Sequence, residues 1–173
     1  MTGVVIRAAA PADIGAITRI YAHAVRFGTA SFEIEPPDEA EMARRQRALI
    51  DGGFPSLVAE ADGAVAGYAY AGPYRPRPAY RFSVENSVYV APEAHRRGVG
   101  RALLDRLIAE AAARGFRQMI AVIGDSDQAA SIALHRAAGF RLVGTIAAVG
   151  FKHGRWLDSV LMQLELKERV ANS

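Results

Sequence analysis

The most informative stretch of the chain is Val88-Tyr89-Val90-Ala91-Pro92-Glu93-Ala94-His95-Arg96-Arg97-Gly98-Val99-Gly100-Arg101-Ala102-Leu103-Leu104. An alternating apolar strand ends at Pro92, a basic glycine-containing turn follows, and a helix begins. The first N–H groups of any helix lack partners within it, and the helix dipole adds positive potential at the same end. Glycines let backbone approach an anion closely, and His95, Arg96, Arg97 and Arg101 add side-chain donors. The turn has the chemistry of a pyrophosphate site, although a plain strand–helix turn with solvated arginines would read the same way.

Outward from this turn, elements follow from periodicity. Upstream, Arg81–Val90 reads as a strand, with Phe82, Val84, Val88 and Val90 alternating with Ser83, Glu85, Ser87 and Tyr89. Downstream, Leu103, Leu104, Leu107, Ile108 and Ala111 form one helical stripe, closed by Gly115. Met119–Ile123 is a short strand, and Ala129–Ala138 a helix ended by Gly139. Leu142–Val149 and Ser159–Leu166 are strands around the turn His153-Gly154-Arg155. Toward the N-terminus, Val4–Arg7 is a strand, and Pro11 with Asp13 opens a helix carrying Ile14, Ile17, Ile20, Tyr21 and Val25. Asp38 with Glu41 has the form of a capping box. Ser56–Glu60 and Val65–Tyr70 form a hairpin through Asp62-Gly63. Hairpins flank a central β-α-β unit, so the expected class is α+β, in one domain spanning residues 1–173.

Composition narrows the chemistry. With 173 residues, 51% of them hydrophobic, the chain has the size and makeup of one folded domain. It has no cysteine, which removes disulfides, thiolate metal sites and a cysteine nucleophile. The four histidines are scattered without metal-ligand spacing, and Asp125-Ser126-Asp127 lacks the glycine and final glutamate of a calcium loop; no metal is expected. No apolar run approaches the roughly 20 residues that span a bilayer, and the N-terminus has no signal-peptide pattern; a cytoplasmic protein without a membrane partner is expected. The formal charge is +3, and 19 of the 21 cations are arginines. That balance is too small to argue for nucleic acid.

Two motifs in order carry a resemblance. The turn around Gly98-Val99-Gly100 resembles the acetyl-CoA pyrophosphate loop of the GNAT N-acetyltransferase superfamily, and Ser131-Ile132-Ala133-Leu134-His135-Arg136-Ala137-Ala138-Gly139-Phe140 resembles its late helix ending in Gly-Phe. Thr29–Glu33, Tyr80–Val90 and Val149–Asp158 are similar to segments of one branch, the phosphinothricin and methionine sulfoximine or sulfone acetyltransferases. His95 stands where the family has Gln or Arg, and Gln128 where it usually has an asparagine that touches the cofactor.

The resemblance implies a GNAT fold: a mixed, mostly antiparallel twisted sheet with about four helices. It implies direct acetyl transfer from acetyl-CoA, as cosubstrate, to a small primary amine, with no metal and with a homodimer as the assembly. Val88, Tyr89, Val90, His95, Arg96, Arg97, Gly98, Val99, Gly100, Arg101, Gln128 and Ser131 would hold the cofactor, with backbone N–H near Val90 meeting the oxyanion. Phe32, Glu33, Arg75, Pro76, Arg77, Glu85, Asn86 and Ser87 would meet the amine substrate. Glu85 is the expected base. His135 is either a proton donor near the sulfur or a ring packed under the cofactor. Another amine (a protein N-terminus, a polyamine or a drug) and a non-catalytic acyl-CoA-binding module remain as alternatives at this point.

Overall fold

The computed structural model describes residues 3–166. Its strands are β1 (Val5–Ala8), β2 (Ser56–Ala61), β3 (Ala64–Pro73), β4 (Ser83–Val90), β5 (Gln118–Gly124), β6 (Arg141–Lys152) and β7 (Arg155–Glu165). Its helices are α1 (Ile14–Phe27), α2 (Glu39–Asp51), α3 (Val99–Ala113) and α4 (Ala129–Ala137). The strands form one sheet in the order β1-β2-β3-β4-β5-β7-β6. Every neighbouring pair is antiparallel except β4–β5, which is parallel and joins only Ser83–Asn86 to Gln118–Ala121.

The turn chemistry is local. Asp62 and Gly63 both take positive φ, as do His153 and Gly154, which suits the twist of two-residue hairpins. Gly115, at φ +84°, follows α3 as expected. Along α1 the buried residues are Ile14, Ile17, Ile20, Tyr21 and Val25, the predicted stripe. On α3 the outer face is laced by Arg101–Asp105 and by Glu110 with Arg106 and Arg114.

α1 and α2 cover one face of the sheet, and α3 and α4 the other. Residue parity on β3 decides which is which. Tyr68 and Tyr70 point to the α1/α2 side, whereas a side chain at Gly67 would meet Val99 and Leu103 of α3 at 3.0 and 3.1 Å. That close approach of α3 to the sheet requires glycine. The core around Leu103, Leu104, Leu107, Val84 and Met119 is fully buried.

Three expectations change. The strand predicted from Arg81 starts at Ser83; Pro78–Tyr80 forms a 3₁₀ turn, and Phe82 is half exposed rather than in the core. The capping box is half formed: Asp38 accepts from the Glu41 N–H at 2.9 Å, but the Glu41 carboxylate pairs with Arg44 and Arg45 instead. The final hairpin is longer than predicted, because pairing runs down to Lys152 and Arg155 through two irregularities in β6.

Candidate active site

Past Asn86 and Ala121, β4 and β5 no longer pair, although β4 runs on to Val90 and β5 to Gly124. The separation opens a narrow slot of about 50 Å³, bordered by Val88, Tyr89, Ile123, Gln128, Ser131 and His135. Among the described residues, the backbone groups of β4 that face away from β3 have no strand partner along this stretch, so an extended amide-bearing chain can pair with them. The Tyr89 ring sits 5.1 Å from Tyr21 and 5.3 Å from Tyr68 in an aromatic cluster on the α1/α2 face.

At the far end of the slot lies the basic turn. Arg96 and Gly98 have φ of +61° and +78°. The N–H groups of Arg96 through Arg101 have no backbone partner among the described residues, while Ala102 begins the helical ladder by donating to Gly98. This is an anion cradle made of backbone. The side chains of His95, Arg97 and Arg101 have partners within the chain. His95 Nε2 lies 3.2 Å from the Val90 carbonyl oxygen. Arg97 is paired with Asp62 at 2.6 Å, and Arg101 binds Asp105 at 2.6 Å and the Ala137 carbonyl at 3.1 Å. These residues stitch the turn to the β2–β3 hairpin and to α4. Arg96 makes no ion pair among the described residues.

The opposite mouth of the slot carries Glu85, half-buried on the α1/α2 face beside Ser87. Burial pushes its carboxyl pKa up, and the positive charge of Arg75 opposes this only in part. The segment from Thr29 to Glu33 passes over this mouth, tied at each polar residue. Gln128 donates to Thr29 Oγ1 at 2.8 Å, so its amide is engaged inside the chain. Ser31 meets the Tyr21 hydroxyl at 2.8 Å, and its carbonyl accepts from the buried Lys152 ammonium at 2.7 Å. Glu33 pairs with Arg45 at 2.7 Å. Phe32 packs its ring onto Gly124 and Gly150, where any Cβ would lie within 2.8 and 2.5 Å of ring carbons.

Asn86 and His135 lie on the other face. Alternation puts Asn86 with Val84 and Val88, so it is buried toward α4, on the face opposite Glu85. His135 is 4% exposed. Its Nδ1 lies 2.8 Å from the Ser131 carbonyl oxygen and its Nε2 3.1 Å from the Asn86 side-chain amide. Burial lowers its pKa, partly offset by the Ser131 bond. The loop arginines are exposed: Arg75 donates to the Tyr74 carbonyl and lies 4.4 Å from that ring's centre, while Pro76 and Arg77 face solvent.

A model of the acetyltransferase (GNAT) family matches residues 17–140, which contain the turn, the slot and Glu85. The chain belongs to the GNAT acetyltransferase family. This acetyltransferase is similar to the phosphinothricin N-acetyltransferase of Alcaligenes faecalis, 57% identical over 154 residues covering 89% of this chain and 78% of that one. It is similar also to the L-methionine sulfoximine/L-methionine sulfone acetyltransferase of Salmonella typhimurium, 44% identical and covering 96% of each chain. A crystal structure of a phosphinothricin acetyltransferase from Sinorhizobium meliloti in complex with AcCoA superposes with a TM-score of 0.93, at 50% identity, over 99% of this chain and 93% of that one.

Acetyl-CoA is therefore the cosubstrate of this GNAT enzyme, and the backbone groups around the slot suit it. The unpaired N–H groups from Arg96 to Arg101 suit its pyrophosphate, and the freed edge of β4 suits its pantetheine amides. Among the described residues no group of three or more His, Asp or Glu is placed to hold a metal ion, and no helix is long and apolar enough to cross a membrane. Sequence reading missed Tyr21, Arg45 and Lys152 at the substrate mouth. For Tyr21 the helical stripe signalled only burial. Lys152 lies next to a hairpin turn, where a lysine ordinarily faces water.

Proposed function

We propose that this enzyme acetylates the primary amine of a short amino-acid analogue, namely phosphinothricin or methionine sulfoximine or sulfone. The observation that carries the reading is Glu85: a carboxylate with a raised pKa, half-buried where β4 and β5 part, opposite the cofactor face. The likeness to relatives named for these substrates supports it.

Acetyl-CoA supplies the thioester carbonyl. Glu85 accepts a proton from the attacking amine, directly or through one water. The demand is modest, since an α-amine with pKa around 8 is already partly neutral at pH 7. Backbone N–H at the freed edge near Val90 meets the oxyanion. Arg75, Pro76 and Arg77 form a stiff, cationic loop that suits a carboxylate or phosphinate, and Phe32 and Glu33 shape the wall between. Because direct transfer needs no acyl-enzyme, the absence of cysteine is no obstacle.

His135 acts as a positioning residue. Its Nδ1 proton is committed to Ser131, and burial disfavours the imidazolium. The departing thiolate, with an ordinary thiol pKa near 8.5, leaves without a proton from this ring.

A homodimer is the assembly that suits the far side of the sheet. Leu142, Val143, Ile146, Val149, Phe151 and Trp156 are all exposed on β6 and β7, and Phe151 meets Trp156 edge-on at 5.1 Å. A cluster of this kind on a long edge strand is a surface that natural proteins cover.

Turnover measured across a panel of amines tests the substrate: phosphinothricin and methionine sulfone should lead protein N-termini, polyamines and aminoglycosides in kcat/KM. No turnover of any glutamate-like analogue would sink the proposal. Sedimentation of Trp156→Glu at the active concentration tests the dimer, which should dissociate.

A further inference from the structure

Residues 29–33 touch both halves of the reaction. Ala30 borders the slot together with Gly124 and Gln128, whereas Phe32 and Glu33 lie on the side proposed for the amine. The segment is held in a particular way. Among the described residues, 29–37 neither give nor accept a backbone–backbone hydrogen bond. Every bond that fixes residues 29–33 uses a side chain: Thr29 with Gln128, Ser31 with Tyr21 and Lys152, and Glu33 with Arg45. A segment without a backbone ladder belongs to the low-stability end of a structure. One side-chain bond more or less shifts how often it is in place.

We propose that Gln128 is a positioning residue that ties the placement of residues 29–33 to the occupancy of the acetyl-CoA slot. The inference rests on the reading of Phe32 and Glu33 as a wall of the amine site.

Its first support is the orientation of the Gln128 amide. The Thr29 hydroxyl lies 3.4 Å from the Gly124 carbonyl oxygen, which only accepts, so the hydroxyl proton points there. The Thr29 lone pairs are then left for Gln128 Nε2, at 2.8 Å. The amide oxygen of Gln128 makes no hydrogen bond among the described residues, and Gln128 borders the slot. One half of the amide is committed to the segment and the other half is open to a donor. A hydrogen bond accepted at an amide oxygen polarises the N–H groups of the same amide and strengthens what they donate.

The second support is the seat of Thr29, which is 7% exposed. It sits between Gln128 and Gly124, both of which border the slot. A Cβ at Gly124 would lie 2.1 Å from the Thr29 carbonyl oxygen, so the two backbones are in direct contact.

The third is the short reach from Thr29 to the amine side. Two residues on, Ser31 Oγ meets the Tyr21 hydroxyl at 2.8 Å and accepts from the Glu33 N–H at 3.1 Å. Phe32 between them is pressed onto Gly124 and Gly150. With 29 and 31 fixed, 32 and 33 have little freedom left. By linkage, an amine that needs this placement binds more tightly when the slot is filled, and it tightens CoA by the same factor.

The test uses CoA, which fills the slot without acetyl transfer, with wild type, Thr29→Val and Thr29→Ser. Amide exchange of residues 30–33 should slow by at least about fivefold on CoA binding in wild type and Thr29→Ser, and by less than about twofold in Thr29→Val. Slowing along Ser87–Val90 in all three reports that each folds and binds CoA. Gln128→Met removes the bond from its other end, should match Thr29→Val, and decides the matter if that variant does not fold. Unchanged exchange at 30–33 in wild type, or full slowing in the variants that lack the bond, overturns the inference. Calorimetric titration of phosphinothricin with and without CoA separates the inference from the functional reading. Its Kd should fall by at least about fivefold with CoA in wild type and by less than about twofold in Thr29→Val. Equal affinity with and without CoA in wild type rejects the coupling although the substrate reading stands. No phosphinothricin binding, with the exchange pattern as expected, rejects that substrate and supports the link.

Discussion

His135 Nε2 lies 3.1 Å from the side-chain amide of Asn86, while its Nδ1 lies 2.8 Å from the Ser131 carbonyl oxygen. A carbonyl only accepts, so Nδ1 carries the proton and Nε2 presents a lone pair. As placed, Asn86 Oδ1 faces Nε2 and the buried Nδ2 has no partner; with the amide turned over, its NH₂ would donate to the Nε2 lone pair and both groups would be satisfied. The bond joins α4 to β4 at the last β4–β5 pair.

The first prediction concerns this ring. In wild type, NMR should show His135 titrating below the ordinary value near 6.5, with the proton on Nδ1. Asn86→Asp places a carboxylate against Nε2 and should raise that pKa. His135→Asn should reduce kcat by about tenfold or less, rather than the ~10²–10⁴ expected of a lost proton donor. A larger loss, with a vanished basic limb in the pH profile, would restore the proton-donor role.

Glu85→Gln should lower kcat by about 10²–10⁴ with acetyl-CoA affinity unchanged by calorimetry. The acidic limb of wild-type kcat/KM should report a pKa above the usual carboxylate value, because burial raises Glu85. The stability consequence has a definite sign. A carboxyl whose folded pKa is raised binds more protons in the native state, so its contribution falls as pH rises from the unfolded value through the folded one. Glu85→Gln should therefore melt higher than wild type at pH 7, and the gap should close in acid.

Much of this site was readable from residues and spacing. The alternation of Val84, Val88 and Glu85 placed the carboxylate on the face away from the apolar core. The same alternation places Asn86 with the valines, on the face opposite Glu85. Lys152 was different in kind. It finds Ser31 across 121 positions, and its burial follows from Thr29–Glu33 crossing the mouth, which no local pattern encodes. Of the turn's arginines, Arg101 pairs with Asp105 at the helical i,i+4 spacing, whereas the partner of Arg97, Asp62, lies 35 positions away on the β2–β3 hairpin, where no local pattern points.

Asp13 is buried, accepts two bonds from Arg7 at 2.7 and 2.9 Å, and also accepts from the Ala10 N–H at 2.7 Å. Arg7 holds its carboxyl below the usual range, with the backbone bond helping and burial opposing. A depressed carboxylate stabilises above its unfolded pKa near 3.9 and loses that contribution as pH falls through the folded value. Asp13→Asn should lower stability at pH 7 by about 1–3 kcal/mol, toward the lower figure because Arg7 is partly solvated. Denaturation curves should converge with wild type in strong acid.

Gly124 admits no side chain: a Cβ would sit 2.1 Å from the Thr29 carbonyl oxygen and 2.8 Å from the Phe32 ring. Gly124→Ala must push residues 29–33 off the mouth of the slot. KM for the amine should rise more than KM for acetyl-CoA, since the backbone cradle at Arg96–Arg101 lies at the far end. Equal effects on both would show that the displacement spreads through the sheet.

The parallel junction of β4 and β5 has a mechanical meaning. Four residue pairs are all the strand pairing that joins β1–β4 to β5–β7 across the middle of the sheet. The sheet is two halves with a short seam between them, and the slot proposed for acetyl-CoA begins where the seam stops. A ligand bound there extends the stitching by its own length. Amide hydrogen exchange should therefore slow most along Ser87–Val90 and Val122–Gly124 when it binds, because the cosubstrate completes the sheet that it reacts in.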